Sequence, residues 1–143
     1  MHSGQTVDER FRMSNLRAHN PPQLFPPYRG YAHAVEVPAD ARTLYISGLN
    51  GFDADGVTMP PDFVGQAELV WRHLGVVLGA ARMSYDDLVM LRFFLTRAED
   101  DPANVDLIAA HLGDHLSCRT VVVQQLLEPR WLIEVEAIAA TSG

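Results

Sequence analysis

The chain has 143 residues, 48% of them apolar and 20% charged, which is typical of one globular domain with its own core. Its net charge of -7 makes it a poor match for the phosphate backbone of nucleic acid. All 11 basic residues are arginine, which excludes a lysine-bound cofactor, and one cysteine excludes an intrachain disulfide.

The N-terminal part of the chain is polar, and prolines cluster near its end. It predicts a flexible arm over residues 1–27, in front of a domain over 28–143. No apolar run is long enough to span a bilayer, and the arm lacks the apolar stretch of a signal peptide. A cytoplasmic protein is therefore expected. Within the domain, two strands are predicted at 31–37 and 43–47.

A helix and a buried strand follow. Apolar residues at helical spacing predict a helix over 62–81. Ser84 stands three residues before Asp87, which is the spacing of a capping box. The long apolar run at 88–96 predicts a buried central strand.

A second helix is expected to begin with Asp101 as its N-cap and Pro102 as its first helical residue. Residues 118–140 then predict two strands joined by a tight turn, a β-hairpin. The order of elements predicts an α+β fold, with two helices on one face of a single mixed sheet of five to six strands. The other face would expose apolar residues, and self-association would cover them. The residues expected on that face are Arg119, Val121, Val123, Leu132 and Ile138.

Several local patterns suggest sites but have simpler interpretations. His111 and His115 are spaced to share a metal, but the glutamate of the metalloprotease pattern is absent and a solvated helix flank is preferred. Ser47 lies in a glycine-containing turn without the spacing of a phosphate-binding loop. Asp53 and Asp55 resemble part of a calcium loop that lacks its final glutamate, so a turn is preferred.

Arg119, Glu134 and Glu136 are the strongest anomaly in the sequence, because charges inside apolar strands are costly unless they are paired or face a wet site. A surface ion pair on an edge strand is the simplest interpretation. A functional cleft is the alternative.

Four stretches together resemble the Rid family, the reactive intermediate deaminases, also called YjgF-like proteins. The resemblance covers nearly all of residues 28–140. It implies a chorismate-mutase-like α+β fold and a homotrimer with clefts between subunits. The stretches are "YAHAVEV", "LYISGLNGFDADG", "QAELVWRHLGVVLGAARMSYDDLVMLRFFLT" and "CRTVVVQQLLEPRWLIEVEAIAA".

The resemblance also implies roles for particular residues. Arg119 would hold a substrate carboxylate, and Glu134 would position or activate water. Tyr31 would line the cleft, and Ser47 and Gly48 would offer hydroxyl and backbone groups. The implied reaction is hydrolysis of enamines or imines such as 2-aminoacrylate to a 2-keto acid and ammonia, without a metal or cofactor.

This chain departs from the deaminase members near those residues. Asn104 is the candidate match to a family asparagine in the second helix, and Glu136 stays a possible substitute for Glu134. The departing positions are Ser117, Cys118, Val121, Leu49 and Asn50.

Three functions stay open. The leading one is an imine or enamine hydrolase acting on small carboxylate-bearing metabolites. The second is a non-catalytic trimer that binds such a metabolite or regulates another process. The third is RNA cleavage, against which the net charge argues.

The predicted hairpin separates Arg119 from Glu134. A three-residue turn would set Glu134 opposite Gln124, which leaves Arg119 about 17 Å away at roughly 3.4 Å per residue. A shared site would then need a neighbouring subunit to bring one residue to the other.

Overall fold

The computed structural model describes residues 15–142. Residues 1–14 of the predicted arm lie outside the described part, and the arm stays a prediction there. Part of the remainder forms strand β1 at Arg17–His19. None of the helices in residues 15–142 has the length and apolar character needed to cross a membrane.

Within residues 15–142, six strands and two α-helices form an α+β fold, as predicted. Single 3₁₀ turns at Tyr85–Asp87 and Ala98–Asp100 precede the fourth strand and the second α-helix. The remaining elements are β2 (Ala34–Glu36), β3 (Arg42–Asn50), α1 (Phe63–Ala80), β4 (Leu88–Leu95), α2 (Asp101–Leu112), β5 (Cys118–Val123) and β6 (Ile133–Thr141).

The strands form two sheets rather than the single sheet of five to six strands that was predicted. Four strands make a mixed sheet in the order β3-β6-β4-β5, and β1 pairs with β2 in a separate antiparallel ladder. β2 and β3 are joined by a turn in which Ala41 N–H donates to the Pro38 carbonyl at 3.2 Å. Pro38 has no N–H to extend the ladder beyond β2, and β3 pairs with β6 instead.

The predicted C-terminal hairpin is wrong. β5 runs parallel to β4, and β6 lies on the other side of β4, antiparallel to both β4 and β3. Residues 124–132 therefore cross from one side of β4 to the other. The apolar strand β4 is buried on most of its length, so it needs a hydrogen-bonded neighbour on each side, and β5 and β6 supply them.

Helix α1 confirms the predicted helix to within a residue at either end. The Asp62 carboxylate accepts a hydrogen bond from Gly65 N–H at 3.1 Å, which satisfies one free donor of the first turn. The apolar stripe of α1 is buried and includes Trp71 and Leu74. The capping box of Ser84 and Asp87 is also confirmed.

Helix α2 begins one residue earlier than predicted. Asp101 is its first helical residue, and Asp100 occupies the cap position without a side-chain capping bond. The Asp100 carboxylate bonds Arg97 instead, at 2.9 Å. The 3₁₀ turn before α2 leads directly into the helix, so the predicted side-chain cap at Asp101 is wrong.

Both helices pack on one face of the four-stranded sheet, as predicted. In the sheet register, Leu91, Phe93 and Leu95 of β4 align with Ala137, Val135 and Ile133 of β6, and all six are buried in the main core. Arg119, Val121 and Val123 align with the same three β4 residues.

The opposite face has a different composition from the one predicted. Since Arg119, Val121 and Val123 share the register of core residues, they lie on the helix side of β5, and Leu132 also packs against the main core. Of the five residues expected on the uncovered face, only Ile138 lies on that face, as its register with β4 indicates. That face instead carries the Tyr45 ring, which is 77% exposed, as well as Val122 and several charged side chains.

Candidate functional site

A cleft of about 670 Å³ lies along the edge strand β5. Its walls come from β5, from the start of α2 and from the segment that precedes β2. Arg119 and Tyr31 both line it, so the structure brings together two of the predicted site residues. Val105 and Ile108 of α2 contribute apolar surface. A charged group beside aromatic and apolar walls is the usual composition of a small-molecule site.

Arg119 is half-buried in this cleft. Its guanidinium carbon lies 5.6 Å from the centre of the Tyr31 ring, within range of a cation–π interaction. Its Nη2 group donates a hydrogen bond to the backbone carbonyl of Arg29. Burial lowers the pKa of Arg119, and the nearby Asp101 carboxylate opposes that effect. The side chain is therefore an oriented cation, partly removed from water.

Arg29 and Asp101 are cleft residues that the sequence reasoning missed. The Arg29 guanidinium donates to the Asp101 carboxylate at 2.5 Å and lies 5.3 Å from the centre of the Tyr28 ring. Arg29 has a φ of 70° and Gly30 a φ of 76°, so both are left-handed. The Arg-Gly pair just before Tyr31 was the available signal, because glycine marks such turns.

Glu134 lies on β6, and its carboxylate occupies the space beside Gly48 of β3. A Cβ atom added at Gly48 would lie 2.0 Å from Glu134 Oε2 and 2.9 Å from Cδ. The β3–β6 register shifts between Ile46 and Leu49, which is a bulge at this point. The structure thus places the predicted Gly48 and Glu134 together, with the exposed Ser47 next to them in β3.

The Glu134 carboxylate is half-buried, and burial raises its pKa, with a smaller contribution from Glu136. Within residues 15–142, no basic side chain forms an ion pair with it. A carboxylate in such surroundings is more basic than an exposed one and is suited to accept a proton.

Glu136 has a different environment from Glu134. Its carboxylate accepts from Arg92 Nη1 at 2.6 Å, across the β4–β6 ladder, and both side chains are more than 40% exposed. A surface ion pair was the simplest interpretation of the charged residues in these strands. Glu136 forms such a pair, but with Arg92 and not with Arg119. The pairing leaves Glu134 as the available carboxylate.

The structure does not bring Arg119 and Glu134 together within one chain. In the sheet register, Arg119 of β5 pairs with Leu91 of β4, and Leu91 pairs with Ala137 of β6. Ala137 lies three residues from Glu134 along β6. Two strand spacings and three residue steps give a Cα separation of about 14 Å. Glu134 aligns with Phe94, on the face opposite to Leu91, so the two side chains also project from opposite faces.

The positions at which this chain departs from the deaminase members lie around both Arg119 and Glu134. Cys118 lines the cleft, and burial raises the pKa of its thiol, which favours the unreactive protonated form. Val121 also lines the cleft, and Leu49 packs against the core. Asn50 aligns with Glu134.

Two other candidate residues, Ser117 and Asn104, lie outside the cleft. Both are buried. The Asn104 amide has no hydrogen-bond partner among the described residues.

The remaining sequence candidates have structural roles. His111 stacks on Trp71 with ring centres 4.7 Å apart, whereas the buried His115 bonds the Leu88 carbonyl at 2.7 Å. Asp55 accepts from Val57 N–H, Thr58 N–H and the Thr58 hydroxyl, as in a closed turn. In the described part of the chain, no three His, Cys, Asp or Glu side chains are grouped so as to hold a metal ion.

These features define a small α+β protein with an arginine in a cleft at the edge of its sheet. The family model described as endoribonuclease L-PSP matches residues 23–141. The chain belongs to this family, the Rid or YjgF-like family. No curated protein sequence matches the chain.

Solved structures of Rid proteins are similar to this chain along most of its length. The Rid family protein YyfB of Yersinia pestis is 32% identical, with a TM-score of 0.78, over 87% of this chain and 98% of that chain. RidA from an Antarctic Psychrobacter is 27% identical, with a TM-score of 0.65, over 79% of this chain and 95% of that chain.

Proposed function

We propose that the protein hydrolyses reactive enamine and imine intermediates of the 2-aminoacrylate type. The enamine tautomerises to its imine, and water adds to the imine carbon. The resulting carbinolamine expels ammonia and leaves a 2-keto acid. The proton that water loses passes through a base to the leaving nitrogen, so the reaction balances without an oxidant or a cofactor.

In this reaction Arg119 binds the carboxylate that every such substrate carries. A guanidinium presents two parallel N–H donors, which match the two oxygens of a carboxylate. Tyr31 forms the adjacent wall and restricts the plane of the guanidinium through its ring. The partial burial of Arg119 strengthens the attraction, because less water screens the pair.

The environment of Glu134 is the single observation that carries the proposal. Its carboxylate is half-buried, has a raised pKa and occupies space that only a glycine at position 48 leaves free. A protein that only bound carboxylates would gain nothing from a second negative charge beside its ligand. A general base that deprotonates water explains this second negative charge, and Ser47 and the Gly48 backbone are the neighbouring polar groups.

The proposed site is shared between subunits of a homotrimer. If Arg119 and Glu134 act on one substrate, a second copy has to bring them together, because they are separated within one chain. β5 is an edge strand of its sheet, and the exposed face bearing Tyr45 and Val122 offers apolar surface for contact. Arg119 of one subunit and Glu134 of the next would then line one cleft.

The test is release of 2-keto acid from imines generated freshly from several amino acids by an amino-acid oxidase. We expect release faster than the uncatalysed rate, and a loss of that acceleration in Arg119→Ala. A chelator should change nothing. Keto-acid release no faster than without protein, for every imine tried, would leave the non-catalytic binding protein as the better hypothesis.

RNA cleavage is the activity suggested by the description of the family model. The net charge of -7 does not support it, because a phosphate backbone is bound by clustered cations. The cleft arginines Arg29 and Arg119 are also accompanied by the Asp101 carboxylate.

A further inference from the structure

The orientation of Arg119 depends on the backbone of another arginine. Arg119 Nη2 donates to the carbonyl oxygen of Arg29, so the direction of that carbonyl restricts the guanidinium. The carbonyl reaches this direction because Arg29 and Gly30 are consecutive left-handed residues. Gly30 adopts such a conformation freely, whereas for Arg29 it is strained.

A strained residue keeps its conformation only where the surrounding structure holds it. For Arg29, its own side chain supplies the restraint. The guanidinium is bonded to Asp101 Oδ2 at 2.5 Å and packs over the Tyr28 ring. The Arg29 residue is therefore attached at both ends: its side chain to Asp101 and its carbonyl to Arg119.

Asp101 is a rigid point of attachment. It is the first residue of α2 and is followed by Pro102, whose ring restricts the backbone. The positive end of the helix dipole favours a carboxylate at this position. Both Asp101 and Arg29 line the same cleft as Arg119.

We propose that Asp101 and Arg29 are positioning residues that orient the Arg119 guanidinium for its substrate carboxylate. The inference rests on the proposed function, in which Arg119 binds that carboxylate. Asp101 fixes the Arg29 side chain, the fixed side chain holds the left-handed backbone, and the backbone carbonyl orients Arg119. Neither Asp101 nor the Arg29 side chain needs to touch the substrate.

The arrangement predicts an unusual order for two substitutions of one residue. Arg29→Gly loses the attachment to Asp101 but still adopts the left-handed conformation without strain, so the carbonyl partly keeps its place. Arg29→Ala loses the attachment and keeps the strain, so its backbone relaxes away from Arg119. The smaller residue should therefore be the better replacement.

The experiment measures the affinity for pyruvate, a product-type 2-keto acid, by titration calorimetry, together with KM and kcat for imine hydrolysis. We expect Asp101→Asn and Arg29→Gly to weaken pyruvate binding and raise KM by about 3–10-fold, with kcat within about twofold. Arg29→Ala should weaken binding by a further factor of about five or more. Asp106→Asn, an exposed carboxylate on the same helix, is the matched control and should behave as wild type.

A double variant tests whether the residues act in series. Arg29→Gly with Asp101→Asn should bind pyruvate within about twofold of Arg29→Gly alone, because the attachment is already absent. Independent, multiplying losses would overturn the proposal. So would equal affinities for Arg29→Gly and Arg29→Ala, or wild-type affinity in Asp101→Asn.

The Arg119→Ala variant separates this inference from the function on which it rests. If Arg119→Ala abolishes pyruvate binding while Asp101→Asn leaves it intact, only the positioning role fails. If Arg119→Ala binds pyruvate as wild type does, the proposed carboxylate site itself is wrong, and the positioning role is wrong with it. Thermal unfolding of each variant checks that the fold is retained.

Discussion

The Glu134 carboxylate occupies the volume that a side chain at Gly48 would fill, with Oε2 only 2.0 Å from the position of the missing Cβ. Two residues that are far apart in sequence thus define one half of the candidate site. Gly48 is required here for its lack of a side chain, since its φ is not in the left-handed region.

Gly48→Ala should displace the Glu134 carboxylate. We expect imine hydrolysis to fall by about 10²-fold, the cost of misplacing a catalytic group by an ångström or so. The stability should change little, because the group that must move is the far end of a flexible side chain. Steady-state keto-acid release and thermal unfolding measure activity and stability.

Two further variants control for this substitution. Gly79→Ala, in α1, adds a Cβ that meets no atom within 4 Å, and it should leave activity unchanged. Glu134→Ala added to Gly48→Ala should be no less active than Glu134→Ala alone, because Gly48 acts only through the Glu134 carboxylate. A Gly48→Ala protein with full activity would show that the position of Glu134 does not matter.

Glu134→Gln should keep pyruvate binding and slow hydrolysis by about 10²–10⁴-fold, the usual contribution of a general base. Glu136→Gln is the matched control, because Glu136 is engaged by Arg92 on the same face of the sheet. It should hydrolyse imines at close to the wild-type rate. Equal losses in the two variants would contradict the assignment of Glu134 as the base.

The pKa of Glu134 makes its contribution to stability depend on pH. A raised pKa means that the folded chain binds the proton more tightly than the unfolded chain does. The contribution is therefore most favourable below the ordinary pKa and is lost as pH rises through the window up to the raised value. Glu134→Gln should then become more stable relative to its parent as the pH increases through this window.

Thermal unfolding over about pH 4 to 7 measures this difference. Both proteins should carry Arg119→Ala, so that no guanidinium of a neighbouring subunit offsets the effect of burial. A difference in melting temperature that stays constant across the range would show that the Glu134 environment does not disfavour the charged carboxylate.

Arg119→Lys should lose most pyruvate affinity although it keeps the positive charge. An ammonium group cannot present two parallel donors, and it cannot reproduce the bond to the Arg29 carbonyl with the same geometry. Arg72→Lys, at an exposed position of α1, is the control and should change nothing. Calorimetry with pyruvate decides the matter, and near wild-type affinity in Arg119→Lys would argue against a carboxylate clamp.

Mixing two inactive proteins tests the shared site. Arg119→Ala and Glu134→Ala should each be inactive, yet subunit exchange between them should restore partial activity. Some mixed trimers would carry one cleft with both residues intact. Labelled subunits confirm exchange, and sedimentation gives the oligomeric state. A monomer, or mixed trimers that stay inactive after proven exchange, would refute the shared site.

Helix α1, the capping box of Ser84 and Asp87, and strand β4 could be predicted from the sequence. Their signals are local, because apolar spacing and capping side chains act within a few residues of one another. The sequence also marked Arg119 and Glu134 as unusual, since charged residues in apolar strands are costly. The resemblance of the sequence to the Rid family also pointed to Tyr31 and Gly48 as site residues.

Only the tertiary structure decided which strands pair and which side chains meet. A turn between two apolar strands favours a hairpin locally, but β4 needs a neighbour on each edge, and this requirement separates β5 from β6. The contact of Glu134 with Gly48, and that of Arg119 with the Arg29 carbonyl, join residues that are distant in the chain. Such contacts depend on strand order and backbone direction, which no short stretch of sequence encodes by itself.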